Sequence, residues 1–165
     1  MAKDESFDVV SQVDMQEVDN AVQQTTRELT QRYDLKDSGS SISLDKSEGA
    51  VTVTAPSDFV AGQVRDVLES KLVKRGVDLK AMQWGKTEMA SGGTVRVAAK
   101  IVNGIDQEIS RKINKDIKDQ KFKAKVQIEG DKLRVFSPKR DILQEIIAFL
   151  KQQDYGIPLQ FTNYR

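Results

Sequence analysis

Neither cysteine nor histidine occurs in the 165 residues. Their absence removes Cys/His zinc sites, thiol nucleophiles, Ser-His-Asp triads, haem attachment through cysteine and disulfides. Aromatic residues make up only 6% of the chain and there are 3 prolines. No apolar run is long enough to cross a bilayer, and Met1-Ala-Lys-Asp-Glu-Ser6 has no hydrophobic leader core, so the expectation is a cytoplasmic protein with no membrane association. No P-loop, Gly-rich dinucleotide fingerprint or EF-hand spacing is present. Carboxylate or lysine chemistry and oxygen-ligated Mg²⁺ remain open, but the reading is a protein that is not an enzyme and carries no cofactor.

What the chain does contain is one supersecondary pattern written twice. Val51-Thr-Val-Thr-Ala-Pro56, then Asp58, an amphipathic stretch and Gly76-Val-Asp-Leu79, returns as Leu133-Arg-Val-Phe-Ser-Pro138, Asp141, another such stretch and Gly156-Ile-Pro-Leu159. Asp58 and Asp141 lie 83 positions apart. A repeat of that length implies two related domains rather than a solenoid. The formal charge of +1 hides an asymmetry. Residues 1–92 hold 11 basic and 16 acidic side chains, whereas residues 93–165 hold 15 and 9. A basic second half suits an anionic partner, and it equally suits simple solubility.

Periodicity supplies the elements. Ser6 to Val10 alternates like a half-buried strand, and Asp14 with Glu17 has capping-box spacing before a helix from Met15 to about Tyr33, whose core stripe is Val18, Ala21, Val22, Thr25 and Leu29. Ser41–Asp45 and Ala50–Thr54 form a hairpin turned at Gly49. Phe59, Val60, Val64, Val67, Leu68 and Leu72 mark a second helix, and Leu79 to Trp84 reads as a strand. The second half repeats this: strand Thr94–Ile101, a helix with Ile105, Ile109, Ile113 and Ile117 as core, the hairpin Lys123–Glu129 and Lys132–Phe136, a helix over Ile142–Leu150 and a strand over Leu159–Tyr164. Each half reads β-α-β-β-α-β. The expected class is therefore α+β, two ferredoxin-like (split βαβ) domains in tandem with antiparallel four-stranded sheets. The short Ala90–Thr94 link favours a hairpin between Leu79–Trp84 and Val95–Ile101. That places residues 94–101 in the first-strand slot of a domain spanning 13–102, and leaves residues 1–12 to join 103–165. The N-terminal strands would be exchanged.

Alternation also assigns the sheet face away from the helices. In the second domain, Lys123, Lys125, Gln127, Lys132, Arg134 and Phe136 point there, with Gln160, Thr162 and Tyr164, and with Asp8 on the adjoining strand as an acceptor. Basic groups interleaved with aromatics can neutralise phosphates and stack bases. In the first domain the outward set is Ser41, Ser43, Thr52, Thr54, Arg96 and Lys100. Trp84 reads as core or, if it faces outward beside Arg96, as half of a purine clamp. The row Arg111, Lys112, Lys115, Lys118 and Lys121 reads as an ordinary solvated helix face.

Ser6-Phe-Asp-Val-Val-Ser11, Val18-Asp-Asn-Ala21, Lys71-Leu-Val-Lys-Arg-Gly-Val-Asp-Leu79, Gly104-Ile-Asp106 and Pro158-Leu-Gln-Phe-Thr-Asn-Tyr-Arg165 resemble the YajQ family across essentially the whole chain. The resemblance implies two ferredoxin-like domains with exchanged N-terminal strands, and nucleotide binding: cyclic di-GMP for some members, GTP or RNA for others. It departs at Leu35, where the family pattern favours Phe, which removes an aromatic contact near the first helix. The expected function is a monomeric, non-enzymatic cyclic di-GMP receptor that signals to a protein, such as a transcription regulator, or to nucleic acid. The nucleotide would meet Lys123, Lys125, Arg134, Phe136, Asp8 and Tyr164, with Arg96 and Trp84 as the lesser site. RNA binding on the basic sheet and a protein-interaction scaffold are the alternatives. A phosphohydrolase of acylphosphatase type would need an anion-cradling loop, and Ser11-Gln-Val-Asp14 has neither Gly nor Arg.

Overall fold

Alternating apolar residues commit the strands of this protein to one buried face each, and the computed structural model, which describes residues 4–165, shows how they pair. In chain order the main elements are β1 (Glu5–Val10), α1 (Met15–Gln31), β2 (Ser41–Asp45), β3 (Ala50–Ala55), α2 (Asp58–Lys74), β4 (Met82–Trp84), β5 (Glu88–Met89), β6 (Val95–Ile101), α3 (Gln107–Asp119), β7 (Lys125–Glu129), β8 (Lys132–Ser137), α4 (Arg140–Gln152) and β9 (Gln160–Thr162). They form two antiparallel sheets, ordered β7-β8-β1-β9 and β2-β3-β6-β4, with β5 also paired to β6. Both orders place the first strand of a split βαβ unit between the third and fourth. β1 lies between β8 and β9, and β6 fills the same slot between β3 and β4. The chain divides into two compact units, Met1–Gln12 with Asn103–Arg165, and Val13–Val102.

In the Val13–Val102 unit, the Asp14 carboxylate accepts from the Gln16 amide at 3.0 Å to start α1, and the Ser57 hydroxyl accepts from the Val60 amide at 3.3 Å to start α2. Val18, Ala21, Val22, Thr25 and Leu29 are all buried, as the 3.6-residue period requires. The Thr25 hydroxyl satisfies itself by donating to the Ala21 carbonyl at 2.8 Å. Val51 and Val53 of β3 and Val97 and Ala99 of β6 supply the sheet side of the same core. On α2 the core residues are Ala61, Val64, Val67, Leu68 and Leu72. Phe59, expected in that stripe, is instead exposed, because it sits in the first turn and points to solvent. Leu79–Ala81 is a 3₁₀ turn, not strand, because Asp78 caps it through the Lys80 amide at 2.9 Å; the strand begins only at Met82.

In the other unit, Phe7, Val9, Leu133 and Val135 line the inner sheet face and pack with Ile113, Ile117, Ile146 and Leu150 in a core of fully or almost fully buried side chains. Asp106 starts α3 by accepting from the Ile109 amide at 2.8 Å. The isoleucine row drifts as a four-residue step must on a 3.6-residue helix: Ser110, Ile113 and Ile117 are the buried positions, and Ile109 is only half-buried.

Candidate functional site

On the outer face of the β7-β8-β1-β9 sheet the register brings the expected residues side by side. Arg134 stands opposite Asp8, Phe136 opposite Ser6, Lys125 opposite Phe136, Gln127 opposite Arg134, and Glu129 opposite Lys132. Lys125 and Gln127 are exposed, whereas Lys132, Arg134 and Phe136 are half-buried. Lys123 lies just before β7, exposed, with its carbonyl accepting from the Ser137 hydroxyl at 2.9 Å. The Arg134 guanidinium carbon is 5.9 Å from the centre of the Phe136 ring, so a planar cation and an aromatic plane are neighbours along β8.

Asp8 is the electrostatic centre of this face, and its role differs from the expectation. It is fully buried and already has three donors. Arg134 Nε approaches Oδ1 at 3.0 Å, and Asn163 Nδ2 and Lys132 Nζ approach Oδ2 at 2.8 and 3.4 Å. Burial alone would raise the Asp8 pKa. The hydrogen bonds from Asn163 and Arg134 and the charges of Arg134 and Lys132 outweigh it and hold the carboxyl below the ordinary 3.8. The bond to Asp8 in turn raises the already high Arg134 pKa. Asp8 is thus an internal counter-ion that orients Arg134, with no lone pair presented to a ligand.

Tyr164 also departs from the alternation. Asn163 has a left-handed φ of 55° and turns the end of the chain by one residue. Beyond Thr162, which faces Asp8, the next backbone partner of Ser6 is Arg165, through mutual N–H to carbonyl bonds of 3.0 Å, so Asn163 and Tyr164 together oppose Phe7. This is a β-bulge. It sends the Asn163 amide to Asp8 and the Tyr164 ring toward Phe7, 6.3 Å between centres, beside Leu143 and Gln144 of α4. Tyr164 is therefore on the helix side of the sheet. The sequence reading missed Asn163; an Asn near a chain end, where the strand pattern stops, was the available signal, since Asn tolerates φ above zero.

In the Val13–Val102 unit the clamp of Trp84 with Arg96 does not form. Trp84 pairs with Ala99, a core-facing position, and lies under the Arg65 guanidinium of α2 at 4.7 Å. Arg96 is on the opposite face, 3.5 Å from Glu88. Leu35, where an aromatic contact had been at issue, is a buried core residue. A cleft of about 380 Å³ beside it, lined by Thr26, Leu29, Thr30, Asp37, Ser40 and Ile42 among others, went unnoticed in the sequence. The hydroxyls of Thr26 and Thr30 already donate to α1 carbonyls at 3.1 and 2.7 Å. Among the described residues no cluster of acidic side chains is arranged to hold a metal ion, and no helix is long and apolar enough to cross a membrane.

The family model described as nucleotide-binding protein YajQ-like matches residues 5–165. Proteins named nucleotide-binding protein are similar over the full chain. One from Desulfitobacterium hafniense is 52% identical over 165 residues, 100% of each chain, and one from Alkaliphilus oremlandii is 45% identical over 165 residues, 100% of each. Another, from Acidithiobacillus ferrooxidans, is 49% identical over 160 residues, covering 97% of this chain and 98% of the relative. With the whole of the described fold matched, the chain belongs to the YajQ-like family.

Proposed function

We propose that the protein is a non-catalytic nucleotide-binding protein, that its ligand is cyclic di-GMP, and that it relays binding to a protein or nucleic-acid partner. The observation that carries this reading is the pairing of the Arg134 guanidinium with the Phe136 ring on a sheet face flanked by Lys123 and Lys125. The names of the full-length relatives support the nucleotide part of it. Phe136 offers a stacking plane for a guanine, and the two exposed lysines offer cations for phosphates. Arg134, neutralised by Asp8, serves as a fixed planar donor more than as a net charge. The exposed Gln127 amide, opposite Arg134, replaces Asp8 as acceptor for guanine N–H groups. Asp8, Tyr164, Trp84 and Arg96 have no direct contact in this proposal.

Calorimetric titration with cyclic di-GMP, using GTP for comparison, tests it. Saturable binding of the dinucleotide in the low micromolar range, weakened about tenfold by Phe136→Ala, is expected, which corresponds to a loss of about 1.4 kcal/mol. If Arg134→Ala with Phe136→Ala binds as the parent does, the face is the wrong place. A second reading, RNA on the same face, is favoured by its openness, since the 380 Å³ cleft lies in the other unit. Steep weakening with salt is its mark, against a shallow slope for a dinucleotide.

A further inference from the structure

The strands at the sheet edges are not equally protected against a further strand. β7 carries Lys125, with Lys123 just before it, and lysine on an edge discourages pairing. β9 and β4 have three residues each, and the bulge at Asn163 and Tyr164 follows β9 directly. β2 has no such guard. Ser41-Ile-Ser-Leu-Asp45 pairs with β3 residue for residue, without a bulge, and carries no charge before its last position. Ser41, Ser43 and Asp45 are exposed on its outer face, whereas on the helix side Ile42 is buried and Leu44 only half-buried. β2 is the last strand of its sheet, and among the described residues no other backbone segment bonds to its free side.

The two ends of β2 differ in charge. α1 runs back along the strand: Lys46, just after β2, reaches Asp19 near the start of α1 at 3.3 Å, while Ser41 and Ile42 share the 380 Å³ cleft with Thr26, Leu29 and Thr30. At the cleft end stand Lys36, Asp37 and Arg27, the last between Thr26 and Thr30 on α1; at the turn end stand Asp45 and Glu48, with Lys46 already engaged by Asp19. All are exposed. Among the described residues neither Arg27 nor Lys36 has a carboxylate partner, and neither Asp45 nor Glu48 has a cation. An antiparallel second copy of β2 would reverse the ends, so that the positive end of each meets the negative end of the other. A two-fold axis at Ser43 pairs all five residues: Ser43 with Ser43, Ile42 with Leu44 and Ser41 with Asp45. Moving the axis by one residue leaves only three pairs. In the full register no charge faces its like, the Ser41 hydroxyl can donate to the Asp45 carboxylate, and the second copy's Leu44 covers Ile42 at the cleft.

We infer that β2 is a self-association edge, through which two copies of the chain pair antiparallel and join their β2-β3-β6-β4 sheets into one. The inference goes beyond the proposed nucleotide site, because β2 belongs to the Val13–Val102 unit and Arg134 and Phe136 to the other. The monomer expected from the sequence is then the dilute form, since edges of five residues make a small interface and a weak, concentration-dependent dimer. Sedimentation velocity on the full chain is the first experiment. The mass should rise with concentration from 18.5 kDa toward twice that value, and less so in high salt. Ser43→Lys, its fold checked by circular dichroism, sets two cations against each other at the axis and should weaken the dimer at least about tenfold. The register has its own test, because the chain has no cysteine. In Ser43→Cys the two thiols face each other and should be oxidised by diamide to a disulfide between copies. In Ser41→Cys they stand roughly 14 Å apart along the strands and should not. A mass of 18.5 kDa at every concentration leaves the edge to a foreign peptide and overturns the inference. So does a dimer that Ser43→Lys leaves intact, or cross-linking of Ser41→Cys as ready as that of Ser43→Cys.

Discussion

Replacing Asp8 with Asn removes one negative charge from the middle of a sheet while keeping the side chain's shape. In the parent, Asp8 takes hydrogen bonds from Arg134 at 3.0 Å and Asn163 at 2.8 Å, with Lys132 at 3.4 Å. The Lys132 contact is long and its side chain is 35% exposed, so it adds little; Arg134, at 15%, has less access to water. In the variant one carbonyl oxygen can still receive Arg134, but an NH₂ group then faces the NH₂ of Asn163, two donors with no acceptor between them. Charged hydrogen bonds are worth about 1.5–3 kcal/mol each, and losing one partner of a buried pair costs about 3–5 kcal/mol. Partial solvent relief for Arg134 and Lys132 brings the expected loss to about 2–4 kcal/mol. With a urea slope of about 1–3 kcal/mol/M, the midpoint falls by about 1–2 M. Circular dichroism is the assay, because the single Trp, Trp84, belongs to the other unit and would report on the wrong one. The pH dependence fixes the cause. Asp8 has a folded pKa below its unfolded value, so its stabilisation is fully present above about pH 4 and is lost as pH falls through the lower folded value. The gap between parent and variant must therefore close in acid. A variant within about 0.5 kcal/mol of the parent at neutral pH, or a gap that survives acidification, refutes the reasoning.

Substitutions at three further positions test local geometry. Asn163→Ala loses both the bond to Asp8 and tolerance of φ 55°, and Asn163→Gly loses only the bond, so thermal unfolding should rank parent, Gly, Ala, with Ala lower by about 1–3 kcal/mol. Gly104 has φ 101°, and a Cβ there would stand 2.8 Å from Asp131 Oδ2 and 3.0 Å from Asp131 Cβ; Gly104→Ala should cost about 1–3 kcal/mol in a denaturant titration. Arg65→Ala uncovers the Trp84 ring, and acrylamide should then quench its fluorescence more efficiently than in the parent.

Period and spacing carried most of the fold because they are local consequences of burial. The α1 stripe Val18, Ala21, Val22, Thr25, Leu29 could be named from its steps, and the short link at 90–94 pointed to the pairing of β4 with β6, though not to the extra strand β5 beside it. The pattern failed where polar contacts override it: at Asp78, whose cap turns Leu79–Ala81 into a 3₁₀ turn, and at Asn163, whose left-handed backbone reverses the side on which Tyr164 lies. The face bearing Lys125, Arg134 and Phe136 was equally legible, since alternation needs only neighbours. Partnership was not. Asp8 looked like an available acceptor because its strand alternates, but three donors distant in sequence close over it. Trp84 could face either way on paper, and its pairing with Ala99 decided it.

The Asp8 contact also sets up a conflict between stability and binding that can be measured in one variant. In the proposed site, Arg134 is held by Asp8 and would present a plane to the nucleotide with its charge mostly cancelled. A phosphate approaching Lys125 and Arg134 meets the Asp8 carboxylate behind them as a like charge. At a separation of about 6 Å in a water-like dielectric that repulsion is about 0.7 kcal/mol, and more if the bound ligand excludes water. Asp8→Asn should therefore tighten cyclic di-GMP binding about threefold to tenfold at neutral pH even as it lowers the unfolding midpoint, provided the titration is run where the variant is fully folded. Opposite signs from one substitution are not expected of a residue that only supports the fold, since loss of structure weakens binding along with stability. If affinity falls with stability, Asp8 acts by positioning Arg134; if affinity does not change, the nucleotide does not sit on this face.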